Sequence, residues 1–183
     1  MHIVNGNPGS STPPPTDIPG LIYVSRANFT NAAVVNETNV FDLSDAIYKI
    51  ILNIISTTIP DNAQITMKLK QGSVNIDTGY STSRGGGYGP GVAGGINDAG
   101  SDEWSIGYRS SGFPVNALNL DLFNVVTETE TGGLGAYAGG YDGSPLSQVL
   151  AVRNSNAVSA NGLSIIANGG LITGSLTICR YGP

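Results

Sequence analysis

Few residues in this chain could do chemistry, and their spacing decides what that chemistry is. There is one histidine, His2, and one cysteine, Cys179, in 183 residues. A Ser/His/Asp or Cys/His catalytic set needs a histidine that the fold can hold in place, and His2 lies in a proline-rich N-terminal stretch. The same two counts exclude zinc-type ligation by His and Cys clusters. Cys179 falls in an apolar run and reads as a small buried hydrophobe. Oxygen donors gather at Asn97-Asp98-Ala99-Gly100-Ser101-Asp102-Glu103, a composition that suits Ca²⁺, but the EF-hand spacing and its closing Glu are missing. A solvated acidic turn is the expectation there, with a calcium site left open. Asp102 and Glu103 are adjacent, so on a strand they would point to opposite faces and could not flank one glycosidic bond. Arg84-Gly85-Gly86-Gly87-Tyr88-Gly89-Pro90-Gly91 is no phosphate loop, because it lacks Gly-Lys-Ser/Thr and follows no βα pattern. The reading assigns no catalytic residue, no metal and no cofactor, and expects a protein that is not an enzyme.

Recognition is what the side chains leave. Tyr80, Tyr88, Trp104, Tyr108, Tyr137 and Tyr141 offer flat rings that could stack on sugars or on a neighbouring subunit. The stretch from Ser81 to Gly100 reads as a long glycine-rich loop, and loops on a rigid scaffold are where binding concentrates. Tyr88, Trp104 and Tyr108 as rings, with Arg84, Asp98 and Asp102 as hydrogen-bonding partners, form the candidate glycan or subunit contact. Core packing competes with this and is favoured for Trp104. Glycines at 85, 86 and 87 weaken the binding case, since ordering a free loop costs roughly 1–2 kcal/mol per residue.

Composition narrows the partners. The net charge is −5, only 11% of residues are charged, and glycine occurs 26 times. The eight Lys and Arg are scattered, so the electrostatic footprint of nucleic-acid binding is missing. No apolar run approaches the roughly 18 residues of a membrane span. The N-terminus has neither the basic region nor the apolar core of a secretory signal, and a lone cysteine suits synthesis in a reducing cytoplasm. The sequons Asn28-Phe29-Thr30 and Asn36-Glu37-Thr38 are then read as chance. A weakly charged surface with many strand edges points to a homo-oligomer, a trimer or dimer, that covers its edges in an assembly.

The elements that must position these residues are strands. Residues 1–19 carry Pro8, Pro13, Pro14 and Pro15 with no hydrophobic set. They read as an extended arm that contacts the assembly through its prolines. The sandwich is expected over 20–183. Leu21–Val24 and Ala32–Val35 read as strands, and Phe41–Ala46 as a turn. Ile47–Ile55 and Ile65–Lys70 alternate with period two and are joined by a Pro60-Asp61-Asn62 turn, so they are expected to pair as a long antiparallel spine. Val74–Tyr80, Trp104–Tyr108, Ala117–Phe123, Gly135–Tyr141, Val149–Arg153, Leu163–Ala167 and Gly174–Gly182 follow as strands. Turns are expected at 127–133 and at Asp142–Pro145. Many strands with no helical window mean an all-β sandwich or barrel.

In order, these parts resemble the jelly-roll modules of structural proteins in tailed bacteriophage virions. The resemblance rests on the Tyr48–Lys70 pair followed by Gly79-Tyr80, on Leu118-Asn119-Leu120-Asp121-Leu122-Phe123-Asn124, and on a closing Ile172–Gly182 strand with Tyr181-Gly182 near the C-terminus. It covers about residues 20 to 183, and departs at Cys179-Arg180 and in the length of the glycine-rich stretch. It implies an antiparallel jelly-roll β-sandwich with an extended Pro-rich arm. It further implies a non-enzymatic capsid decoration protein on the outer surface of the virion, made in the host cytoplasm, bridging major capsid or other virion proteins. The alternative it implies is a tail-fibre or receptor-binding module that holds host glycans. An arm starting at Met1 with no fibrous stretch before the sandwich is expected of the first rather than the second.

Overall fold

The structure, a computed structural model, describes residues 20–61, 63–88, 92–108, 116–141 and 144–182; for residues 87, 88, 92–98, 141 and 144 it describes the backbone alone. The chain forms β1 (Leu21–Ala32), β2 (Val34–Glu37), β3 (Tyr48–Thr57), β4 (Gln64–Gln71), β5 (Val74–Asn75), β6 (Tyr80–Tyr88) and β7 (Val92–Ser101). There follow β8 (Trp104–Tyr108), β9 (Asn116–Phe123), β10 (Thr131–Tyr141), β11 (Ser144–Asn154), β12 (Gly162–Ala167) and β13 (Ile172–Tyr181). No helix occurs among the described residues.

Every pairing is antiparallel. One sheet has eight strands in the order β1-β13-β3-β9-β10-β11-β6-β7. The other runs β2-β12-β4, with β5 and β8 both on the far side of β4. The two faces share one hydrophobic core, so the molecule is an all-β sandwich.

Alternation builds that core. Tyr48, Ile50, Leu52 and Ile54 of β3 point inward and are buried, as are Leu118, Leu120 and Leu122 of β9 and Leu176 and Ile178 of β13. Ile65, Met67 and Leu69 of β4 and Leu163 and Ile165 of β12 face them from the smaller sheet. Trp104 closes one end: its ring meets Tyr80 edge-on at 5.1 Å, and its indole N–H donates to the Arg153 carbonyl at 2.8 Å. Cys179 is buried, as its apolar setting implied.

Five expectations are corrected. The Ile47–Ile55 and Ile65–Lys70 runs do not pair. β3 and β4 lie in opposite sheets and meet face to face across the core. Their connection crosses between layers: Ile59 is buried and the Thr58 N–H donates to the Leu171 carbonyl at 2.9 Å. Two runs with one apolar face each satisfy their hydrophobic pattern equally well by pairing or by stacking, and the turn chemistry does not choose. Residues 74–80 hold only the two-residue β5 before β6 begins. The stretch 81–100 is no loop but the β6–β7 hairpin, and the polar turn expected at 127–133 ends where β10 begins at Thr131. Pro145, expected in a turn, belongs to β11, with residues 142 and 143 outside the described residues.

The chain passes between layers early. Asn31 takes a positive φ of 50°, which asparagine tolerates better than most residues, and β1 gives way within two residues to β2 in the other sheet. β1 pairs with β13 and β2 with β12, so the two ends of the chain are stitched together in both layers.

Candidate functional site

Three of the six side chains proposed for glycan contact are interior. Arg84 is 2% exposed, Trp104 0% and Tyr108 7%. β6 places Arg84 inward, where its guanidinium carbon lies 4.6 Å from the centre of the Tyr108 ring. The Tyr137 hydroxyl reaches the same spot from β10. It accepts the Tyr108 N–H at 3.0 Å and bonds both the Tyr108 carbonyl and Asn116 Oδ1. Burial raises the Tyr137 hydroxyl pKa well above the ordinary phenol value, so that proton stays in place to donate. Gly107 and Gly139 are the space for this ring, since a Cβ at either would run into it. Of the proposed contact residues, Arg84 and Tyr108 are brought together, as interior structure.

Two neighbours of this cluster escaped the sequence reading. Gln148 and Thr82 are each 2% exposed. The Gln148 amide and the Thr82 hydroxyl find no hydrogen-bond partner among the described residues. Counting back in twos from Val152 and Leu150 puts Gln148 on the inward face, so period two carried the signal.

Asp102 is exposed, in the turn between β7 and β8. Its carboxylate lies 4.0 Å from the Lys68 ammonium, which pairs with Asp77 at 2.8 Å. Glu103 accepts from the Asn168 amide at 3.4 Å. A lysine therefore occupies the acidic patch where calcium was considered. No group of three or more His, Cys, Asp or Glu able to hold a metal occurs among the described residues. Asp98 lies opposite Thr82 in the β6–β7 register. Tyr88 ends β6. For Tyr88 and Asp98 the backbone alone is described, and Pro8, Pro13, Pro14 and Pro15 fall outside the described residues.

The surface that does stand out is the outer face of the large sheet. The registers run without interruption across six strands: Thr177, Ile51, Asn119, Ala136, Val149 and Gly85 form one row. The next row reads Ser175, Asn53, Ala117, Ala138 and Ser147. Neither row contains a charge. Leu134 (59% exposed) and Val149 (66% exposed) project from this floor of alanine, glycine, serine and asparagine. Lys49 and Asp121 stand in the adjoining Leu134 row and pair with each other, and Arg26 of β1 lies opposite Thr177 at the end of the first row. Lys49 bonds Asp121 at 2.9 Å and the Tyr181 hydroxyl at 3.1 Å. Burial opposes the charge on Lys49, yet those two bonds hold its pKa above the ordinary value. One row further out Arg153 grips Glu130 through two nitrogens, and that contact holds the Glu130 carboxyl below its usual range. Beside this pair Phe123 covers Gly132, at the edge of an open hollow of about 520 Å³.

No protein family model matches the chain, and no similar curated protein or solved structure was found.

Proposed function

We propose that this chain is a non-enzymatic structural protein of a bacteriophage virion, a decoration protein that attaches to the capsid exterior and bridges its subunits. The observation that carries the reading is the broad outer face of the eight-stranded sheet, with two successive charge-free rows across its central strands. A floor of small, neutral side chains with Leu134 and Val149 exposed upon it is a surface that subunits of an assembly can cover. The strand order supports the family resemblance. Strands β1-β13-β3-β9 facing β2-β12-β4-β8 follow the wrap of a jelly roll, and two insertions, β5 to β7 and the β10–β11 pair, lie outside it. Those insertions widen one layer from four strands to eight, and they supply half of the flat face. An addition that enlarges a surface without building a catalytic constellation fits work done by contact area.

The receptor-binding alternative draws less support. Its rings at Trp104 and Tyr108 are interior, and Arg84 is committed to the core.

Particles assembled without this protein test the proposal. They should be complete but should lose their genome at lower temperature, and purified protein added back should bind them and restore heat resistance. Particles of unchanged robustness that do not bind the protein would overturn it.

A further inference from the structure

We propose that the outer face of β13, β3, β9, β10, β11 and β6 docks on the same face of a second copy of this chain, giving a two-fold dimer of stacked sheets. The inference names a partner for the structural protein proposed above and takes its purpose from that reading.

Size is the first argument. At about 4.8 Å between strands and 3.4 Å along them, the charge-free rows and the Leu134 row beside them cover roughly 600 Å². A face of that size on each partner clears the roughly 1,000 Å² total that a specific interface needs.

Shape is the second. A two-fold contact sets the same patch against itself, so every protrusion needs a hollow on its own face. Leu134 and Val149 are the protrusions, diagonal neighbours across the β10–β11 pair: Leu134 is opposite Ala151, and Val149 opposite Ala136. The hollows surround them: Ala136, Ala138 and Ala151, with Gly85 directly opposite Val149 on β6. Floors of small residues leave room for the protrusions to seat at the ordinary sheet-to-sheet spacing of about 10 Å.

Charge is the third. Both pairs, Lys49–Asp121 and Arg153–Glu130, are closed within one copy. Self-docking then buries closed pairs, and Arg26 of β1 lies one strand beyond the face. A partner with a charged face would find nothing on the central rows to answer it.

The test is sedimentation of the full chain at micromolar concentration, as wild type and as the Leu134→Glu/Val149→Glu variant. Both positions are well exposed, so the variant should fold, and its melting temperature checks that. A second variant, Ala136→Lys, puts a charge on the floor rather than on the protrusions. The wild type is expected to be a dimer, and both variants monomers with melting curves of folded protein. A wild-type monomer, or a dimer that survives both changes, overturns the proposal. If the wild type is monomeric and the double variant still fails to bind particles, the face belongs to a capsid subunit, and the proposed function survives alone. If the dimer forms as described but the protein never binds particles, it is the proposed function that fails.

Discussion

Arg84 and Tyr108 form a cation–π contact inside the sandwich, with the guanidinium carbon 4.6 Å from the ring centre. Tyr108 in turn donates its backbone N–H to the Tyr137 hydroxyl, so β6, β8 and β10 are tied at one point. This is where β6 and β10 of the larger sheet are tied to β8 of the smaller one.

Arg84→Ala should therefore act on stability. Loss of a buried stem and of a desolvated cation–π contact is expected to cost roughly 2–4 kcal/mol. Lysine at this position should recover less than half of that, because an ammonium lacks the planar face that lies on the ring. Urea unfolding of wild type, Arg84→Ala and Arg84→Lys measures both. Equal midpoints for all three would mean the contact carries nothing.

Gly85 and Gly86 are neighbours on β6 and should respond oppositely to the same change. A Cβ at Gly85 meets nothing within 4 Å, while one at Gly86 would fall on the Ser147 carbonyl and lie 2.9 Å from the Gln148 Cα. Gly86→Ala must push β11 away and should cost about 1–3 kcal/mol. Gly85→Ala should unfold within about 0.5 kcal/mol of wild type. Thermal melting of the two single variants decides it.

Stability should fall in alkali. Burial raises the hydroxyl pKa values of Tyr80 and Tyr137, and the smaller shift at Tyr48 has the same sign. A group whose folded value lies above its unfolded one stabilises fully below the unfolded value, near 10 for tyrosine. That contribution drains away as pH rises further, because the unfolded chain then holds fewer protons. Denaturant midpoints are expected to be flat from about pH 8 to 9.5 and to drop by pH 11.5. Tyr80→Phe should flatten the drop. A midpoint independent of pH to 11.5 would contradict the assignment.

Removing residues 2–19 should leave the unfolding midpoint unchanged, because the hydrophobic core is built from residues between Val35 and Ile178. If the arm anchors the protein, the same deletion weakens attachment to particles. Calorimetry and particle occupancy read the two effects separately. A lowered melting temperature would place the arm in the fold instead.

The strands with a clear apolar alternation were legible in the sequence. Leu118, Leu120 and Leu122 are buried as their spacing requires, and so are Ile65, Met67 and Leu69. Period two reports which face is inside but not which strand lies beside it, so β3 and β4 were matched as partners when they are opposite walls. The β6–β7 hairpin was missed for a different reason. Gly85, Gly86 and Gly87 carry no side chain to alternate, and β-structure there rests on the ladders to β11 and β7. Arg84, Trp104 and Tyr108 are withdrawn from any contact by burial. A tyrosine or arginine beside a glycine run looks like a loop ligand until the run proves to be a strand with a wet and a dry side.

Leu21 pairs directly with Tyr181, so the strand that opens the fold and the strand that closes it meet at one corner, running in opposite directions. That fixes how the molecule takes mechanical load. A pull between the segments before Leu21 and after Tyr181 separates β1 from β13 one rung at a time, like a zipper, and never loads many backbone bonds in parallel. Force spectroscopy through those two points should find a soft protein. A subunit gripped across the breadth of its sheet would feel the same force spread over many contacts at once. This architecture is suited to being held by its face and poorly suited to being a link in a stretched chain.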